Sequence, residues 1–199
     1  MLLENIARWR NQLMQTLQGW SSEERTVRGF SVRVVNSRPD IDTDAVFGRM
    51  DAALGLIATY QPRAFRRMQH DFERILVQRF PCRAAYFPDS RTCLTELTFS
   101  VNPEFTAAQV ASSIVHEGVH ARVRQMCTTY EPDRLPREER LCRKAELDFG
   151  LAVPGGEPVV IRALQSLALG DEDVAPAIDW TEAQRRVAGA DAADAAGNG

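Results

Sequence analysis

The stretch His116-Glu117-Gly118-Val119-His120 reads H-E-x-x-H, and it contains two of the three histidines in the 199-residue chain. Histidines four positions apart on a helix lie one turn apart on the same face, so both imidazoles can reach one zinc ion. The glutamate between them lies close enough to take a proton from a water on that ion. The stretch therefore predicts a helix that carries a metal site, with two histidine ligands and a glutamate base.

The residues around this stretch indicate where its helix begins and how it packs. Thr106 and Gln109 form a capping box, and Phe105 and Val110 form a hydrophobic staple. Two apolar rows lie beside the histidine face, and they consist of Val110, Ile114 and Ala121, and of Ala111, Val115 and Val119. Gly118 costs about 1 kcal/mol relative to alanine inside a helix, which predicts a close neighbour at that position.

Hydrophobic periodicity predicts the remaining elements. We predict helices over residues 2–18, 44–59, 62–79, 136–149 and 157–169, a short last helix from Asp179 or Thr181, and strands over residues 26–35, 83–87 and 93–102. Asp42 or Thr43 caps the second of these helices. The pattern predicts an α+β fold, mostly helical, with a short sheet of about three strands packed on the H-E-x-x-H helix. We expect one domain over residues 1–188 and a disordered tail over residues 189–199.

Composition and charge restrict the possible partners and location. The net charge is −3, and 44% of the residues are hydrophobic, as in an ordinary globular protein. This charge predicts no nucleic-acid partner, and no run reaches the roughly 18 apolar residues of a transmembrane helix. Glu4, Asn5, Arg8 and Arg10 interrupt the apolar core that a signal peptide requires, so we expect a cytoplasmic protein.

Four cysteines and one further histidine are the other possible ligands. Cys82, Cys93, Cys127 and Cys142 form no C-x-x-C pair, so we expect buried free thiols rather than a cysteine zinc site. Cys82 and Cys93 flank a predicted hairpin and are the pair that could form a disulfide. His70 lies on the polar face of its predicted helix, and we interpret it as a surface residue.

A catalytic zinc has three protein ligands and one open position, so the sequence must supply a third ligand. One class uses H-E-x-x-H-x-x-G-x-x-H, with a histidine six residues after the second. This chain has Val123 and Met126 at the glycine and histidine positions, which excludes that class. A carboxylate from a following helix remains as the possible third ligand.

With this motif and a glutamate-bearing helix after it, residues 94–150 resemble the gluzincin class of zinc metallopeptidases, in particular its small single-domain, minigluzincin-like members. The resemblance implies a zincin-like fold, Zn²⁺ as cofactor and a glutamate as third ligand. Glu139 lies nineteen positions after His120, a spacing common in the class. Glu146 is the alternative, because the two glutamates lie about 10 Å apart along one helix and cannot easily both bind one ion.

The same resemblance implies a hydrolase that cleaves a peptide bond, with Glu117 as general base for a zinc-activated water. Such sites usually add a donor to the oxyanion, and the candidates here are Tyr130, Arg122 and Arg143. In zinc peptidases the strand before the motif helix is often a sheet edge that pairs with extended substrate. We therefore expect a peptide or protein substrate, with residues 93–102 as a possible edge strand.

Two alternatives from other classes remain open. The domain could be stabilised by zinc and serve a regulatory or interaction role, with little or no proteolytic activity. Alternatively, the protein could be linked to a toxin or another partner, with the amphipathic helix predicted over residues 2–18 as a docking element. That helix could also pair with another chain, giving an oligomer, coat a membrane surface or pack on its own domain.

Overall fold

The computed structural model describes residues 21–126, 134–175 and 179–197. Within these ranges the chain forms a mixed sheet of five strands: β1 (Ser21–Val27), β2 (Phe30–Asn36), β3 (Arg74–Gln78), β4 (Ala84–Phe87) and β5 (Thr92–Glu96). The helices are α1 (Thr43–Tyr60), α2 (Pro62–Asp71), α3 (Leu97–Val101), α4 (Ala107–Met126), α5 (Leu135–Ala152), α6 (Glu157–Leu167), α7 (Asp171–Val174) and α8 (Trp180–Gly197). The predicted α+β class is confirmed, but the sheet has five strands rather than about three.

The strand order in the sheet is β1-β2-β3-β5-β4. The three inner strands β2, β3 and β5 run parallel, and the outer strands β1 and β4 are antiparallel to their neighbours. The inner strands place fully buried side chains in the core, among them Val32, Val34, Ile75, Val77 and Leu94. No helix in the described part of the chain is both long and apolar enough to cross a membrane.

The prediction of one strand over residues 26–35 was wrong, because a tight turn divides this stretch. Arg28 and Gly29 both have positive φ, at 48° and 83°. Two consecutive residues of positive φ form the type of two-residue turn that matches the twist of a β-hairpin. The chain therefore reverses here, and β1 pairs antiparallel with β2.

The helix predicted over residues 62–79 ends at Asp71, and its last part is the central strand β3. Ile75 and Val77 are β-branched and fully buried, and β3 is paired with β2 on one side and β5 on the other. A short apolar run fits the period of a helix or of a buried strand, and here sheet pairing decides for the strand.

The strand predicted over residues 93–102 ends at Glu96, where α3 begins. The Glu96 carboxylate accepts a hydrogen bond of 2.6 Å from the backbone N–H of Phe99, which caps this short helix. The strand before the motif helix is also not a sheet edge, because β5 lies between β3 and β4. The edge on that side of the sheet is β4.

The predictions of a helix cap, of the C-terminal tail and of the N-terminal helix have different outcomes. Asp42 caps α1, since its Oδ1 accepts a hydrogen bond of 3.0 Å from the N–H of Asp44. Residues 189–197 belong to α8 rather than to a disordered tail, and Asp191 on that helix forms an ion pair of 2.8 Å with Arg79. The helix predicted over residues 2–18, with its proposed role in oligomers, lies outside the described residues.

The helix α4 occupies the centre of the helical layer. Its apolar face is buried in the core, with Val110, Ala111, Ile114 and Ala121 fully buried. A Cβ atom at Gly118 would lie 2.6 Å from the sulfur of Met68 on α2, which confirms the predicted close neighbour. This packing fixes α4 on one side and leaves its histidine face directed at α5.

Candidate metal centre

Two helices supply the side chains of the site. The start of α4 has the predicted capping box, in which the N–H of Thr106 donates to Gln109 Oε1 (2.9 Å) and the N–H of Gln109 donates to Thr106 Oγ1 (3.2 Å). The cap fixes the helical phase that places His116 and His120 on one face. The next helix, α5, packs along α4 and carries glutamates toward both imidazoles.

The two imidazoles and one carboxylate converge on a point. The Nε2 atoms of His116 and His120 lie 3.1 Å apart. Glu139 Oε2 lies 3.3 Å from the Nε2 of His116, and Glu139 Oε1 lies 3.2 Å from the Nε2 of His120. Atoms that each lie about 2.0–2.2 Å from one tetrahedral zinc are separated by roughly 3.3–3.6 Å. The structure thus brings the three predicted ligands into contact, with a different oxygen of Glu139 beside each imidazole.

Cys142 also lies at this point, and sequence analysis missed it. The ligand atoms of His116, His120 and Cys142 all lie within 4.8 Å of one another, so this buried group could hold a metal ion. Cys142 follows Glu139 by three residues on α5, which places both side chains on one face. The E-x-x-C spacing after an H-E-x-x-H stretch was the available signal in the sequence.

The second nitrogen of each imidazole is held by a carboxylate. The Nδ1 of His116 lies 2.8 Å from Glu146 Oε1, and the Nδ1 of His120 lies 2.7 Å from Glu138 Oε1. A carboxylate can only accept, so each Nδ1 carries a proton, and each Nε2 would present its lone pair to a bound metal. Glu146, the alternative third ligand, therefore contacts the far side of the His116 ring. The contact of Glu138 was not predicted.

The electrostatics of the cluster favour positive charge. Burial lowers the pKa of both histidines, but Cys142 and the glutamates outweigh it and raise the pKa of each well above the usual value. Burial alone would raise the pKa of Glu139. The hydrogen bonds from both imidazoles have the larger effect, so the pKa of this carboxylate is lowered. Lone pairs and a carboxylate converge here, and only a proton or a cation between them can relieve the repulsion.

Glu117 lies on the same helix and faces the sheet. Its side chain is buried, and burial raises its pKa against the opposing effect of the two imidazoles. Burial and the charge of Glu117 raise the pKa of Cys82 to about 12, and they also raise that of Cys93. Both cysteines are free thiols, so the disulfide considered for them does not form.

Of the three proposed oxyanion donors, one lies at the site. Arg143 Nη1 lies 3.0 Å from Glu146 Oε1, and Arg143 Nη2 lies 4.0 Å from Glu139 Oε2. Arg122 instead lines a groove on the opposite face of α4, and Tyr130 lies outside the described residues. The side chain of His70 is 84% exposed, as expected for a surface histidine.

Comparison with known proteins gives no relative, since no protein-family model, no curated protein and no solved structure matches the chain. The chemistry of the site itself is therefore the basis for its functional interpretation. The site is a buried group of His116, His120 and Cys142 that could hold a metal ion, with Glu139 in contact with both imidazoles.

Proposed function

We propose that this protein is a zinc-dependent metallopeptidase, in line with the resemblance of its motif to the gluzincins. The observation that carries the proposal is the contact of the two imidazoles with each other, at 3.1 Å between their Nε2 atoms, and with the two oxygens of Glu139, at 3.3 Å from His116 and 3.2 Å from His120. Imidazole, carboxylate and thiolate donors in tetrahedral spacing are typical of zinc.

The residues present fit a zinc ion. The two Nε2 lone pairs are directed at one point because Glu146 and Glu138 hold the opposite nitrogens. The lowered pKa of Glu139 keeps its carboxylate ionised at neutral pH, as a ligand must be. We assign His116, His120 and Glu139 as ligands, and Glu146 and Glu138 as the groups that orient the imidazoles.

The residues around the ion have separate roles in peptide hydrolysis. Held by these ligands, a zinc ion would supply Lewis acidity for the scissile carbonyl and for the attacking water. Glu117 takes the proton of the attacking water and passes it to the leaving nitrogen, and its raised pKa suits a base that operates near neutral pH. Arg143 donates hydrogen bonds toward the oxyanion, since it is the donor candidate that lies at the site.

The open edge of the sheet gives the peptide substrate a place to bind. In the described residues β4 pairs with β5 alone, so its other edge presents unpaired backbone N–H and C=O groups. An extended peptide can add a strand to such an edge. The contacts of α4 with β4 place this edge beside the helix that carries Glu117.

Cys142 supports a second candidate function. If its thiolate joins His116, His120 and Glu139, the ion has four protein ligands, which is the pattern of structural zinc sites. Such a closed site leaves no position for water. The protein would then be a regulatory or interaction domain that zinc stabilises.

Two variants separate these functions. The wild type, Glu117→Gln and Cys142→Ser are purified with zinc, their zinc content is measured by mass spectrometry, and each is incubated with a peptide library. If the protein is a peptidase, the wild type and the Cys142→Ser variant both cleave peptides. The Glu117→Gln variant then retains zinc, but its cleavage rate is lower by about 100-fold or more. Glu73→Gln, an exposed glutamate on the surface, is the matched control.

The structural zinc domain gives a different pattern. It cleaves no peptide, and Cys142→Ser weakens zinc binding. Equal cleavage by the wild type and Glu117→Gln, with zinc retained in both, contradicts the peptidase.

A further inference from the structure

A groove with a volume of about 580 Å³ lies between α2 and α5, over α4. The helix α4 packs against both of these helices, so it forms the floor of the groove and they form its walls. None of the proposed zinc ligands lines this groove, and neither does Glu117. Its volume is within the range of ligand sites in proteins, about 300–1,000 Å³. The groove is therefore a second concave site that the proposed peptidase mechanism does not use.

The floor of the groove is apolar. Val115, Val119 and Val123 follow one another at intervals of four residues, so their side chains form one row along α4. At 1.5 Å per residue this row is about 12 Å long, slightly more than two helical turns. Both walls extend the floor with a half-buried apolar side chain, which is Ala64 on α2 and Ala145 on α5. Val119 and Val123 are also half-buried, so apolar surface remains in contact with solvent along the groove.

Three exposed arginines line the groove beside this apolar floor: Arg63 and Arg67 on α2, and Arg122 on α4. Arg63 and Arg67 form no hydrogen bond or ion pair with any other residue in the described ranges. The Nη1 of Arg122 lies 3.9 Å from Asp71 Oδ1, at the long end for an ion pair. One acidic residue, Asp148 on α5, also lines the groove. The groove thus has an excess of positive charge, although the net charge of the chain is −3.

The spacing of the arginines indicates the shape of a complementary ligand. Arg63 and Arg67 lie one turn apart on the same face of α2, about 6 Å along the helix axis. Acidic residues four positions apart on a helix provide two negative charges at a matching distance, whereas the head group of a fatty acid provides one. The row of valines is long enough for two turns of such a helix. Apolar grooves of this kind bind the apolar face of an amphipathic helix.

We propose that this groove binds an acidic amphipathic helix of a partner protein. The apolar face of the partner helix packs on Val119 and Val123, and acidic side chains four positions apart on it pair with Arg63 and Arg67. Arg122 is a third positive group available to the partner. Binding of this kind requires neither zinc nor peptide hydrolysis, so the inference does not rest on the proposed peptidase function and adds a docking surface to the protein.

The test uses displayed helical peptides as probes. Peptides of about 18 residues, or five helical turns, are displayed on phage and selected on the zinc-loaded full-length protein. Leu is fixed along one face of each peptide, and Glu, Gln and Lys occur in equal proportions at the flanking positions. We expect the selected peptides to carry Glu at two positions four residues apart beside the Leu face.

The peptide that is selected most often is synthesised, and its affinity is measured by fluorescence anisotropy. Replacing its two Glu residues by Gln should weaken binding by about 10-fold, and added salt should weaken binding of the Glu peptide because it screens exposed charges. This comparison is made on the unaltered protein, so it tests the proposal even if a variant does not fold.

Substitutions in the protein locate the surface that binds the peptide. Arg63→Gln and Arg67→Gln should each weaken binding by about 2- to 5-fold, the range for an exposed ion pair. Arg66→Gln is the matched control, because Arg66 is an exposed arginine of α2 that does not line the groove, and it should leave the affinity unchanged. Val123→Asp places a charge on the apolar floor and should weaken binding by about 10-fold or more. Circular dichroism of each variant checks that the fold is intact.

A charge exchange tests for direct pairing. Arg67→Glu should weaken binding of the Glu peptide more than Arg67→Gln does, because like charges then face each other. Replacing one Glu of the peptide by Lys should restore part of the affinity for Arg67→Glu, and the same peptide should bind the wild type less tightly. A change in the fold would not produce this reciprocal pattern.

Three results overturn the proposal: no peptide is selected, the selected peptides show no preference for Glu, or Arg63→Gln and Arg67→Gln leave their affinity unchanged. The other possible occupants are tested on the same protein, with dodecanoate and with a synthetic peptide of residues 2–18 as probes and with sedimentation of the protein alone. If Arg67→Gln weakens binding of either probe, or dissociates a dimer, while no acidic helix binds, the groove belongs to an anionic amphiphile, to the chain's own N-terminal segment or to a second copy.

Discussion

Two clusters of charged groups among the described residues differ in how their charges are satisfied. In the Arg79 cluster (Arg79, Glu96, Thr98 and Asp191), the guanidinium forms ion pairs with Glu96 at 2.5 Å and with Asp191 at 2.8 Å. Glu96 also accepts from the hydroxyl of Thr98 at 2.7 Å. Each charge in this cluster meets an opposite charge from the chain itself, so the cluster is complete as a structural feature.

The metal-centre cluster (His116, His120, Glu138, Glu139 and Glu146) is arranged in the opposite way. The outer carboxylates orient two imidazoles so that their Nε2 atoms lie 3.1 Å apart, and the oxygens of a third carboxylate, Glu139, contact the same two atoms. Without a metal, protons on the imidazoles supply the positive charge, because the pKa of both histidines is raised. The comparison teaches that burial of charge alone is not a sign of function, whereas the convergence of side chains that could hold a metal ion points to one.

The largest effect should come from removing a proposed ligand. We expect His120→Ala to lower zinc affinity by more than about 100-fold, beyond the range for groups that only orient a ligand. The third histidine provides the matched control, because His70→Ala removes an exposed imidazole and should leave zinc affinity unchanged. Competition with a fluorescent chelator measures both. Similar losses in the two variants would place the metal elsewhere.

A substitution in the Arg79 cluster should affect stability and not the metal. Glu96→Gln removes a buried charge that pairs with Arg79 and caps α3, so we expect the free energy of unfolding to fall by about 2–3 kcal/mol. Urea denaturation measures this change, with Glu104→Gln, an exposed glutamate, as control. Zinc affinity should stay within a factor of about two of the wild type. A large loss of zinc would show that the two clusters are not independent.

The groups that orient the imidazoles should have an intermediate effect. Glu138→Gln keeps the shape of the side chain but weakens its bond to the Nδ1 of His120, so we expect zinc affinity to fall by about 10- to 100-fold. The same chelator competition measures it. An unchanged affinity would mean that the contact of 2.7 Å does not orient the ring for a metal.

The smallest effect concerns pH after zinc has been removed by a chelator. The neighbouring carboxylates and Cys142 raise the pKa of His116 and His120 in the folded protein. A histidine whose pKa is raised on folding contributes stability that is fully present below its pKa in the unfolded chain, which is about 6.5. This stability is lost as the pH rises through the pKa of the histidine in the folded protein. The lowered pKa of Glu139 contributes stability that is lost only in acid, so it does not affect how stability depends on pH above neutral.

We therefore expect the free energy of unfolding of the chelated protein to decrease as pH rises above neutral. With zinc bound, the ion replaces the protons and this decrease should be absent. Urea denaturation between about pH 6.5 and 9, with and without chelator, measures both slopes. A chelated protein whose stability rises over this range would contradict the assigned electrostatics.

Local signals were sufficient for the motif helix but not for its surroundings. The spacing of His116 and His120 and the capping box at Thr106 depend only on helical geometry, and the structure has the predicted helix. Cys142 and Glu138 reach the imidazoles because α5 packs along α4 at a particular rotation. That rotation is a tertiary property: the E-x-x-C spacing within α5 indicates that Glu139 and Cys142 share a helix face, but not that this face meets the histidines.

The sheet shows the same limit. Ile75 and Val77 fit the apolar stripe of a helix as well as a buried strand, and pairing with both neighbouring strands decides between them. The alternation of Leu97 and Phe99 suggested a strand, but the carboxylate of Glu96 caps a helix there. The sequence does not predict the two-residue turn at Arg28, because a non-glycine residue rarely takes the positive φ that this turn requires.

The central claim is that His116, His120 and Glu139 hold a zinc ion. Anomalous diffraction at the zinc absorption edge, from crystals of the purified protein, tests it most directly. The account predicts one anomalous peak about 2.0–2.2 Å from the Nε2 of both histidines and from a carboxylate oxygen of Glu139. A zinc-supplemented crystal with no peak at this point, or with its peak at His70, would contradict it.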